Sequence, residues 1–148
     1  MYRFVDQPLQ GQSEGARFLI WATRHWVAAA VQGRCVCHTL NATFSTMRVD
    51  AALDDFHLAM RTLCNNPLIP LRFGALDRPE ITEHEAILAA TALAAVERGE
   101  ADVKEVARQL VHADMAALFA SSFTRVATIF ANAELAFEVA AGEQRPGR

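Results

Sequence analysis

Along residues 14–32, Phe18, Leu19, Ala22, Trp26 and Ala29 recur at the 3.6-residue spacing that places side chains on one face of a helix. Ser13 stands just before the run and is a natural N-cap, because its hydroxyl can accept from an amide of the first turn. Gly33 interrupts the run at a cost of about 1 kcal/mol relative to alanine inside a helix. The same stripe nevertheless continues through Val36, Cys37, Leu40, Phe44 and Met47. One long helix kinked at Gly33 and two separate helices fit this pattern equally. A second row, Ile20, Val27 and Val31, lies on the opposite face. Two apolar faces need two partners, one of which can be a second subunit.

Asp50 is placed to cap a helix over about 51–65, striped by Ala52, Leu53, Phe56, Met60, Leu63 and Cys64, with Asp54, Asp55 and Arg61 facing outward. The sequence Asn65-Asn66-Pro67 ends it, since a residue before proline is driven out of the helical region. Residues 67–79 mix three prolines and Gly74 with Leu68, Ile69, Leu71, Phe73 and Leu76, which predicts an apolar loop laid across one end of a bundle. Thr82 and Glu85 have the spacing of a capping box.

Residues 86–96 then run without a charge and are apolar around the whole helical circumference. Such a helix must be walled in by other elements, and it falls short of the roughly 20 apolar residues that span a bilayer. It is expected in the middle of the bundle.

Gly99 closes that helix, and Val103, Val106, Ala107, Leu110 and Val111 stripe the next, over 101–112. Extending this stripe would bury the Asp114 carboxylate, a costly outcome for an unpaired charge. Restarting with Asp114 as N-cap puts Met115, Phe119, Phe123, Val126, Phe130, Ala133 and Phe137 on one face of a last helix over about 115–140. The resulting fold class is all-α: a single bundle of about five helices over 13–141, with an extended arm at 1–12 and a disordered polar tail at 142–148.

Composition supports this picture. Apolar residues make up 52% of the 148 and charged residues 21%, on the globular side of the boundary with disorder. Alanine accounts for 28 residues, so helix backbones can approach closely. Net charge is −3 with no clustered basic face, which argues against a nucleic-acid partner. No segment reads as membrane-inserted. Arg24 and His25 interrupt the only run resembling a signal peptide, and Cys35, Cys37 and Cys64 are an odd count, so the expected setting is cytoplasmic with reduced thiols.

Several constellations could carry chemistry. Cys35-Val36-Cys37-His38 contains soft ligands, but on a helix Cys35 and Cys37 point about 200° apart and cannot share a metal. His25, Cys37, His57 and Cys64 could converge if the first helices pack antiparallel, and are chemically adequate for zinc. The group Glu80, Glu83, His84 and Glu85 lacks the second Glu-x-x-His of a di-iron bundle and is explained by capping. Residues 103–112 resemble the first helix of a helix-turn-helix, yet the following helix carries Phe119 and Phe123 where base-reading polar groups belong. No nucleophile elbow, phosphate loop or dinucleotide fingerprint occurs, and neither catalysis nor a cofactor is expected.

The leading functional expectation is therefore a non-enzymatic interaction or regulatory module that self-associates as a homodimer through Ile20, Val27, Val31, Phe119 and Phe123. One alternative is a helical pocket for a small hydrophobic ligand or cofactor, lined by Trp21, His25, Trp26 and His57. The other is a metal-binding bundle built on the histidine–cysteine cluster.

Overall fold

The computed structural model describes residues 7–138, and the expectations for residues 1–6 and for the tail at 142–148 lie outside it. Among the described residues six α-helices pack into one bundle: α1 Glu14–Val31, α2 Val36–Thr46, α3 Leu53–Asn65, α4 Glu83–Glu97, α5 Glu100–Leu110 and α6 Ala116–Asn132. The extra helix arises at Gly33, where the first pattern divides. Gly33 adopts φ +71°, a left-handed conformation open to glycine, and a single kinked helix is thereby excluded.

Two predicted caps form as expected. Ser13 Oγ accepts from the Ala16 amide, and Thr82 and Glu85 complete a reciprocal capping box. Two others do not. Asp50 and Asp114 sit inside 3-10 turns, at Asp50–Ala52 and Ala113–Met115, and neither side chain caps the helix that follows. The tighter turn satisfies the leading backbone groups itself, so no side-chain acceptor is needed.

The centre of the bundle belongs to α6, which packs against α3, α4 and α5. Phe119, Ala120, Phe123, Val126, Ala127 and Phe130 are all buried there. Phe130 meets Phe18 and Phe44 at ring-centroid distances of 5.2 and 6.0 Å, and Phe44 meets Phe56 at 5.6 Å. The uncharged helix α4 packs on α1, α5 and α6 but keeps a half-open flank at Ala89, Ala90 and Leu93, with Val96 exposed. Its alanines present little apolar area to water, whereas the phenylalanines of α6 gain far more from the central position.

The last helix is shorter than its stripe predicts. It ends at Asn132, and the chain turns back so that Phe137 stacks on Phe130 at 6.2 Å. Three helices, α1, α2 and α6, terminate alike. The amides of Gly33, Arg48 and Glu134 donate to Ala30, Ser45 and Ala131, and those of Arg34, Val49 and Leu135 donate to Ala29, Phe44 and Phe130. This is the paired 5→2 and 6→1 arrangement that closes a helix on a left-handed residue.

The loop between α3 and α4 is only partly greased. Leu71 and Phe73 pack on the core, while Leu68, Ile69 and Leu76 remain exposed. Polar contacts hold it instead. The Leu68 amide donates to Leu110 O, the His112 amide donates to Asn66 O, and at the far end Leu9 N–H reaches Pro79 O.

Candidate functional site

The predicted aromatic region divides into two separate contacts. The His25 ring lies tilted against Trp21 at a centroid distance of 4.2 Å, and its Nδ1 donates to the Trp21 carbonyl one turn back. Trp26 is buried, and its indole Nε1 donates to His57 Nδ1 at 3.1 Å. That bond requires a bare Nδ1, so His57 carries its proton on Nε2. Burial, helped by the charge of Arg61 and opposed by Asp54, lowers its pKa and keeps the ring neutral. A neutral imidazole that satisfies a core tryptophan is a structural group.

Among the described residues no three His, Cys, Asp or Glu side chains are arranged to hold a metal ion. Of the four predicted ligands, His57 Nδ1 is taken by Trp26, and the Cys37 side chain lies outside the described ones. Cys64 is half-buried, and burial pushes its thiol up to about 11, the opposite of a ligating thiolate. Iodoacetamide at pH 8 is expected to label exposed Cys35 first. With its thiol pushed up to about 11, Cys64 holds far less thiolate at pH 8 and is half-buried as well, so labelling at a rate comparable to Cys35, read by peptide mass mapping, would contradict this placement.

The predicted interface is mostly consumed within the chain. Phe119 and Phe123 lie in the central core, and Ile20 is buried against Ile81 and Ala86 with Leu9 alongside. Val27 packs partly on the core, and only Val31 stands free. The partner of the second face of α1 is therefore the start of α4 and the loop before it.

That face also carries what the pattern of apolar residues concealed. Arg24 and Glu85 are both buried and form a bidentate pair, Nε to Oε2 at 2.8 Å and Nη2 to Oε1 at 2.9 Å. Glu85 also accepts from the amides of Gly74 and Thr82, while Arg24 donates to the carbonyls of Arg78 and Glu80. The loop passes so near the guanidinium that a Cβ on Gly74 would lie 2.6 Å from Arg24 Nη2. Nearby, His84 Nδ1 accepts from the Arg72 amide and Thr82 Oγ1 donates to the Arg72 carbonyl. Both charges are spent on the protein itself, and the arrangement is a fastening for the loop.

A different region has uncommitted polar groups. Arg48, Ile129, Asn132, Ala133 and Glu134 line an open groove of about 480 Å³ between the α2–α3 turn and the end of α6. Arg48 and Glu134 both adopt left-handed backbones, at φ +62° and +67°. Each is the closing residue of its helix, the role glycine fills at position 33. A side chain in this conformation costs roughly 1–2 kcal/mol. Glu134 also sets a negative charge against the negative end of the α6 dipole. The side chains of Arg48, Asn132 and Glu134 are exposed and make no hydrogen bond or ion pair with a described residue.

Comparison with known protein families, characterised proteins and solved structures finds no match to this chain. The functional reading therefore stands on geometry. The groove offers one cation, one anion, one amide and an aliphatic wall, with no nucleophile among its lining residues. Such a set can hold and orient a small molecule. No residue of it was distinguishable in the sequence, because Arg48 and Glu134 occupy ordinary-looking turns and only the backbone angle sets them apart.

Proposed function

We propose that this chain is a non-catalytic binding module whose ligand site is the groove between the α2–α3 turn and the end of α6. The observation that carries the reading is the presence of two charged residues at helix-closing positions that glycine would fill at lower cost. A local rule broken without a structural return marks a candidate functional position. The volume falls within the range of about 300–1,000 Å³ common to small-molecule sites. Self-association loses its main support, since most of the apolar surface that called for a second subunit is covered by the chain itself.

The test sets stability against binding. Arg48→Gly and Glu134→Gly are each expected to raise stability by about 0.5–1 kcal/mol in urea denaturation, the relief of left-handed strain less the added freedom of the unfolded glycine. In a double variant carrying both changes, small-molecule fragments that shift the backbone amide signals of residues 48 and 129–134 in the parent protein should lose their effect. Fragments scattering over other surfaces, or binding the double variant unchanged, would refute the assignment.

A further inference from the structure

The groove's charges narrow the class of ligand. We infer that it accepts a zwitterionic aliphatic molecule of short-peptide size, with a free ammonium at Glu134 and a free carboxylate at Arg48. The inference rests on the reading that this groove is the ligand site. Opposite charges share the groove without pairing with each other or with any other described residue. A ligand with opposite charges at its two ends can meet both exposed groups at once, whereas a singly charged one meets only one of them and a neutral one meets neither.

The local fields agree with that orientation. Glu134 follows the C-terminus of α6, where the helix dipole adds its own partial negative charge. An ammonium placed there meets a carboxylate and the dipole together, with Asn132 among the lining residues. Arg48 presents a planar guanidinium whose fork matches a carboxylate. Ile129 in the last turn of α6 and Ala133, which caps that helix, supply aliphatic surface suited to a branched hydrocarbon side chain.

The probe is L-leucyl-L-leucine, compared with its N-acetyl, C-amide and doubly blocked forms by NMR titration of the backbone amides. The free dipeptide is expected to shift residues 48 and 129–134. Each single block should weaken it about tenfold, the lower end for a hydrogen bond to a charged group. Glu134→Gln should abolish the effect of acetylation, and Arg48→Met that of amidation. Both positions are exposed, so these variants keep the fold. If the doubly blocked peptide binds at the groove as well as the free one, the ligand class is wrong while the groove remains the site. If fragments reach the groove but no leucyl-leucine form does, the class is again overturned. If neither fragments nor peptides move these amides, both readings fall.

Discussion

Arg24→Ala and Glu85→Ala are each expected to lower stability by about 3–5 kcal/mol, the cost of leaving one member of a buried pair uncompensated. Both side chains are at or below 2% exposed, so water cannot take the place of the lost partner. Replacing both, as Arg24→Met with Glu85→Leu, should recover part of the loss, because well-packed apolar residues can rival a buried ion pair. Recovery stays incomplete, since the amides of Gly74 and Thr82 and the carbonyls of Arg78 and Glu80 also lose a partner. Urea denaturation of the four proteins measures both the single losses and the recovery. Single losses under about 1 kcal/mol, the scale of a surface pair, would show that the clamp is not what fastens the loop.

The clamp also predicts a pH dependence with a definite sign. Burial pushes the Glu85 carboxyl up. The Arg24 hydrogen bond, the Thr82 and Gly74 amides and the Arg24 charge outweigh that and hold it below its ordinary 4.5. A carboxyl depressed on folding contributes stability that is fully present above its unfolded value and is lost as pH falls through the folded one. The parent protein should therefore weaken on acidification below about pH 4.5. Glu85→Gln, less stable at neutrality, should show a shallower decline, and identical slopes would remove Glu85 from the account.

The second large effect is expected at Phe130. This ring is fully buried and contacts Phe18, Phe44 and Phe137, so Phe130→Ala should cost about 3–5 kcal/mol through lost burial and the cavity left behind. The change should also free the chain after α6, because Phe137 loses the face on which it stacks. Hydrogen exchange should show faster opening at residues 133–138 than elsewhere in the bundle. A loss below about 1.5 kcal/mol would mean that the neighbouring rings collapse into the space.

Periodicity and capping made the helices legible. The stripe of α1, the Ser13 cap and the Thr82–Glu85 box depend on residues three or four apart, and the structure places them as the sequence implies. At Gly33 the local sequence permits two outcomes. A continuous apolar stripe and a glycine are compatible with a kink or a break, and the choice came from the left-handed turn that directs α2 back along α1. Phe137 is buried, as its place in the stripe implies, although a reversal of the chain and not a longer helix brings it there.

The candidate site was not legible at all. Arg48 and Glu134 acquire their meaning from left-handed backbones and from a shared groove, and neither property has a signature in the neighbouring residues. Trp26 and His57, 31 residues apart, pair on different helices in a way that removes the histidine from ligand chemistry.

By itself, the sequence determined where α1 and α4 begin, which side of α1, α3, α5 and α6 turns inward, and that the chain buries enough apolar surface for one bundle. These follow from steric and hydrogen-bonding preferences acting within a turn or two. Tertiary structure alone decided that α6 and not α4 holds the centre, and that the second face of α1 is covered by its own chain. It also decided that Arg24 finds Glu85 across 61 residues. The reason is that burial rewards total apolar area and complete pairing of charges, both sums over the whole assembly, and no local pattern contains such a sum.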